Sequence, residues 1–182
     1  MYKQSGKSGV HLLKTRSTPG DNMENTEVAG LVAKIAATFA TSTFFGAAIY
    51  ANIVEKNARL SLPTTSAMVD HFQATFPRAM GMQKKLAAIS STGSAVGWYL
   101  DTSGDKNLLL YSSLLMMFNL PWTRVMIMPI NHQLMDGEYP KKKGDGWVKD
   151  MLKSWDRVHF VRSMASLAAM ACLGTYWVKK SL

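Results

Sequence analysis

A chain of 182 residues with a formal net charge of +9 is long enough for one domain and hardly for two. Its Lys and Arg side chains sit in loops and at the ends of apolar blocks, not on one basic stripe, which argues against nucleic acid as a partner. The single cysteine, Cys172, excludes an internal disulfide framework and any cysteine-rich metal site, and reads as a small core residue.

Residues 1–27 read as a flexible basic tail. Lys3, Lys7, Lys14 and Arg16 fall in its first part with no acid beside them. A polar tail and a mitochondrial transit peptide both fit that composition, whereas a secretory signal peptide needs an apolar stretch that is missing. From residue 28 to 182 a single domain is expected.

The first apolar block runs from Val28 to Val54. No charged side chain interrupts it from Ile35 onward, a length that matches a hydrocarbon core of about 30 Å. The segment after it, "LPTTSAMVDHFQATFPRA", reads as a loop and then a short amphipathic helix. The second block, Arg78 to Leu100, is rich in small residues, and Ser90, Gly93 and Gly97 share one helical stripe. Small residues let helix backbones approach closely in lipid, so a homo-oligomer contact is expected at the Gly93/Gly97 face.

"DTSGDKN" follows as a turn whose acids, Asp101 and Asp105, read as solvated. The third block extends to Pro129, with a kink expected at Pro121. A polar segment, 132–153, separates it from the fourth block. That block begins near Trp155 and ends in "WVKK", the aromatic and basic pairing of a membrane interface. These blocks predict an all-α fold: an up-down four-helix transmembrane bundle. A soluble bundle with an unusually apolar interior is the alternative.

Alternating spans bring the end of helix one, the start of helix two, the end of helix three and the start of helix four to one membrane face. Asn52, Glu55 and Arg59 lie at the first of these ends, Arg78 and Gln83 at the second, Arg124 and Asn131 at the third, His159 and Arg162 at the fourth. Charges at membrane depth tend to face an interior or a cavity. A polar, electropositive mouth suited to an anion, an enolate or a phenolate is therefore expected. The positive-inside rule places this mouth in the cytoplasm or an equivalent compartment, in a multi-pass protein of a mitochondrial membrane or an endomembrane.

The segments "IYANIVEKNARLSL", "FPRAMGMQKKLA", "PWTRVMIMPINHQL" and "WDRVHFVRS" resemble, in order, the blocks of the anthrone oxygenase-like family. The resemblance covers about residues 30–178. It carries over Tyr50, Asn52, Glu55, Arg59, Arg78, Gln83, Asn131, His159 and Arg162. Lys56 and Asn57 stand where members often have a proline, and Arg124 where an apolar residue is expected.

The resemblance implies a cofactor-independent oxygenase acting on hydrophobic phenolic or anthrone-type substrates. In that reading His159, Arg162 and Glu55 are catalytic. His159 removes a proton, Arg162 and Arg78 stabilise the anion, and Glu55 orients Arg59 or Arg78. Asn52, Arg59, Arg78, Gln83 and Asn131 bind substrate, with Asn131 bonded to a substrate carbonyl or hydroxyl. No organic cofactor and no metal is expected, although His132 and His159 meeting beside Glu55 would be the metal alternative. The competing reading is non-enzymatic: a structural or assembly subunit of a membrane complex, with membrane lipid or partner helices at its polar mouth. A small-molecule carrier is a third.

Overall fold

The computed structural model describes residues 19–182, with side chains from Met23 onward. Every regular element among them is helical. Most of the expected tail thus lies outside the described residues, and the first helix is already under way at Pro19, ahead of Val28.

Four rods build the fold. The first joins α1 (Pro19–Tyr50), a π-helical turn (Ala51–Glu55) and α2 (Lys56–Leu60) without a break. The second is α3 (Thr65–Leu100). The third joins α4 (Asn107–Trp122), a second π-helical turn (Thr123–Ile127) and α5 (Met128–Met135). After the short α6 (Tyr139–Lys143), α7 (Asp145–Ser181) is the fourth. α1 packs on α3 and α7, and α4 packs on the same two helices.

Local chemistry sets the boundaries. Extended backbone at Thr64 lets its hydroxyl accept the Ala67 N–H at 3.2 Å, capping α3. The expected short amphipathic helix is not separate. It is the first part of α3, which runs through Pro77. Likewise α4 passes through Pro121 and widens into a π turn two residues later, where a kink was expected. Asp136 accepts the N–H groups of Glu138 and Tyr139 at 2.8 and 3.0 Å, which hold its carboxyl below the usual carboxylate range. Gly144, with φ at +82°, supplies the conformation that ends α6 and lets α7 start at once. The polar segment 132–153 is thereby mostly helical.

α1 and α3 approach closely because two glycines allow it. A Cβ on Gly93 would meet the Ala33 carbonyl at 2.8 Å, and one on Gly97 would meet Lys34 Cγ at 2.6 Å. The Gly93/Gly97 face expected to serve an oligomer is therefore covered by α1 of the same chain.

Three apolar clusters fill the interior. Met68, Val69, Phe72, Ile127, Leu134, Leu152 and Trp155 pack at one end, Phe44, Ala48, Ala87, Met116 and Ala169 midway, and Leu109, Leu173 and Tyr176 at the other end. Thr41, Ser90, Ser94, Ser112, Ser163 and Ser166 are buried between the rods, while Phe39, Ile89, Val96, Leu114, Met117, Phe160 and Val178 are exposed. Two helical stretches, Met23–Leu60 and Asp145–Ser181, are long and apolar enough to cross a membrane. Cys172 is half-buried, short of a full core position.

At the end remote from the π turns, the supposedly solvated Asp101 is buried. Lys34 Nζ lies 2.7 Å from its carboxylate and 3.0 Å from the Tyr176 hydroxyl, which in turn donates to Asp101. Burial alone would push the Asp101 carboxyl up. The hydrogen bonds from Lys34, Ser103 and Tyr176 outweigh it and hold the carboxyl below its usual range. Asp105 pairs with Lys179 at 2.7 Å and does stay at the surface.

Candidate functional site

The π turn at Ala51–Glu55 determines which residues of the first rod meet the interior. Ala51, Glu55 and Arg59 line a cavity enclosed chiefly by α1, α2, α3 and α7. Asn52 does not. It faces α7 from behind, where its side-chain N–H donates to the Asp156 carbonyl oxygen at 2.9 Å. Regular helical spacing places Asn52, Glu55 and Arg59 on one face. The i→i+5 register of the π turn separates the first from the other two.

The Asn52 bond has a chemical consequence. With its nitrogen committed to a carbonyl, Asn52 presents Oδ1 as an acceptor to Ser163 at 2.7 Å and to His159 Nδ1 at 3.0 Å. His159 Nδ1 therefore carries a hydrogen, and in the neutral ring Nε2 keeps a free lone pair. The imidazole, 2% exposed, lines the cavity. The ring of Trp155 stacks on it, with centroids 4.5 Å apart. Trp155 is fixed in turn by Asn131, whose Oδ1 accepts the indole N–H at 2.7 Å.

Arg59, 1% exposed, is held on three sides. Its Nη2 donates to Asp156 Oδ1 at 2.8 Å, its Nη1 lies 3.7 Å from Glu55 Oε1, and its guanidinium sits 5.7 and 5.4 Å from the ring centroids of Phe72 and Trp155. Glu55 also accepts the Thr75 hydroxyl at 3.0 Å. A buried pair of this kind fixes geometry and costs desolvation on both partners. Arg162 donates to Gln83 Oε1 at 3.0 Å and lies over the Phe44 ring at 5.2 Å, while its Nε finds no partner among the described residues.

The cavity holds about 750 Å³ of empty space with its open mouth included. Phe72, Phe76 and Trp155 give it an aromatic wall; Ala47, Ala79, Met80 and Met82 complete the apolar lining. Its polar groups are Glu55, Arg59, Gln83, His159 and Arg162, with the Tyr50, Thr75 and Thr123 hydroxyls. A flat apolar molecule carrying one acidic oxygen matches this arrangement.

Of the residues expected at the mouth, the structure brings together Glu55, Arg59, Gln83, His159 and Arg162. Two others act from outside the cavity, Asn52 on His159 and Asn131 on Trp155. Asn131 is thus bonded to protein where a substrate bond was expected. Arg78 does not join the site. It is exposed, donates back to the Ala74 carbonyl of its own helix, and is absent from the cavity lining and from the partners of Glu55. His132 is exposed as well, and among the described residues no three His, Cys, Asp or Glu side chains form a metal-binding group. Asp156 was missed. An acid one turn before His159 in "WDRVHF" is the signal that could have exposed it, since the residue sits on the buried side of α7.

Fold and cavity define an all-helical protein with a His/Arg site inside an apolar chamber. The chain belongs to the anthrone oxygenase family, whose model matches residues 72–172. That span includes Thr75, Gln83, Trp155, His159 and Arg162 and begins after Glu55 and Arg59, so it is shorter than the resemblance in the sequence, which reached back to residue 30. No curated protein and no solved structure matches the chain.

Proposed function

We propose that the chain is a multi-pass membrane oxygenase that converts hydrophobic phenolic, anthrone-type substrates to quinones in the His159/Arg162 cavity. The membrane half of this reading is supported by inverted polarity. Serine and threonine hydroxyls are buried between the rods while phenylalanine, leucine, isoleucine and valine face outward on α1, α3, α4 and α7. All four rods then cross the bilayer up and down. α7, at about 1.5 Å per residue, is longer than the hydrocarbon core and carries its first turns beyond it.

The chemical half rests on one observation: His159, its Nδ1 committed to Asn52, lines an aromatic-walled cavity that also holds the Arg162 guanidinium. The substrate gives a proton to His159 Nε2 and becomes an enolate. Arg162, backed by Gln83, stabilises the enolate oxygen in a water-poor site. The enolate transfers an electron to dioxygen, and the two radicals combine to a peroxide that takes the proton back from His159. Loss of the remaining hydrogen from the same carbon, with cleavage of the O–O bond, gives the new carbonyl and water. One dioxygen is consumed per quinone, one oxygen atom leaving as water. Glu55 and Asp156 hold Arg59, and Asn52 and Trp155 hold the imidazole.

The test is His159→Ala in membrane-inserted protein, with oxygen uptake on an anthrone as readout. Loss of uptake is expected; unchanged uptake removes His159 from the mechanism. The assembly-subunit reading draws on a different observation, the closed Arg59–Asp156 pair, which is spent on holding α2 to α7. Copurification of a stoichiometric protein partner, together with inactivity on a panel of hydrophobic phenols, would favour it.

A further inference from the structure

A second cavity lies on the other side of the Arg162–Gln83 pair. It occupies the groove between α3 and the third rod and holds about 600 Å³ of empty space with its mouth included. Every charged residue lining it is basic: Lys84, Arg124 and Arg162. Lys84 and Arg124 are exposed and have no ion-pair or hydrogen-bond partner among the described residues. Arg162 is 9% exposed, and its Nε is unpartnered. Asn119, 2% exposed, contributes an unpartnered Oδ1. The remaining wall, including Leu120 and Met128, is apolar.

We propose that this groove binds the phosphate of an acidic phospholipid. Three cations with no carboxylate to neutralise them suit a phosphate better than a single carboxylate. Arginine forks match phosphate oxygens, and lysine adds a point charge. Buried Arg162 forms the floor, while Lys84 and Arg124 stand at the rim. Asn119 Oδ1 accepts a hydroxyl hydrogen of a phosphate monoester. Leu120 and Met128 cover the start of an acyl chain. The proposal rests on the membrane reading; it shares Arg162 with the reaction chamber, so its test varies only Lys84 and Arg124.

The experiment uses the full chain in nonionic detergent, incubated with phosphatidic acid, with phosphatidylcholine of the same chains, or with inorganic phosphate. Retained ligand is read by native mass spectrometry. The paired variant Lys84→Gln/Arg124→Gln lies outside the reaction chamber, and circular dichroism checks that its helix content is kept. Phosphatidic acid is expected to be retained over phosphatidylcholine, with apparent affinity about 30-fold lower in the variant. Inorganic phosphate binding with the same dependence would keep the anion site and assign it to the free ion. Equal retention of both lipids, or equal retention by wild type and variant, overturns the proposal. Failure of the membrane reading shows itself separately, as release of the chain from membranes by alkaline carbonate.

Discussion

The indole of Trp155 lies almost parallel to the imidazole of His159, at an interplanar angle of 16° and a centroid distance of 4.5 Å. Both belong to α7, four residues apart, where helical geometry stacks side chains on one face. Trp155 is locked by Asn131 and His159 by Asn52, so α5 and the first rod between them set the orientation of one ring pair. The position of the proposed base is thus determined by residues that never touch the chamber.

In the proposed mechanism Asn52 positions the base through His159 Nδ1. Asn52→Ala removes the acceptor for His159 Nδ1 and frees the imidazole to rotate. Turnover of an anthrone is expected to fall about 100-fold, the scale of a lost general base, with KM little changed. Steady-state oxygen uptake measures it. A parallel rise in KM with kcat intact would contradict the role.

Arg59 and Asp156 form a buried pair whose two side chains are each 1% exposed. Arg59→Met alone strands the buried Asp156 carboxylate and is expected to cost about 3–5 kcal/mol, whereas Asp156→Asn should cost less because Glu55 still lies 3.7 Å from Arg59. The double variant should lose much less than the sum. Thermal unfolding in detergent, run as a double-mutant cycle, gives the coupling.

Gly93→Val places a side chain against the Ala33 carbonyl, where even a Cβ is at 2.8 Å. Backbone must move, so a loss of about 1–3 kcal/mol is expected, far more than for Gly81→Ala, where a Cβ meets nothing within 4 Å. A melting-temperature comparison of the two variants decides this.

Asp101 supplies a pH dependence. Its folded carboxyl titrates below the usual value, so its contribution to stability is present above the unfolded carboxylate value of about 3.9 and is lost as pH falls through the lower folded value. Melting temperature should drop as pH is lowered below about 4. Asp101→Asn should be less stable at neutral pH and show a flatter profile over that window.

Much of the site was legible because it is periodic. Glu55, Arg59, Gln83, His159 and Arg162 were placed at one mouth by the alternation of four apolar blocks alone, and they share one cavity. Asn52 was misplaced because a π turn cannot be told from an α turn by residue type. Arg78 was misplaced because helix direction fixes the face of a residue only roughly, and a side chain beside Pro77 can turn back onto its own backbone. Asp101 looked like a solvated turn residue because its partners, Lys34 and Tyr176, are distant in the chain. Such long-range pairings leave no local pattern.

Two of the four rods loosen by one residue per turn, at Ala51–Glu55 and at Thr123–Ile127, and each loosened turn borders the chamber. A one-residue insertion shifts the angular phase of everything beyond it. The first rod can thus knit tightly to Gly93 along its upper length and still swing Glu55 and Arg59 inward farther down. Excision of a single amino acid from either segment would leave the hydropathy profile untouched, yet re-aim the side chains that furnish the chamber.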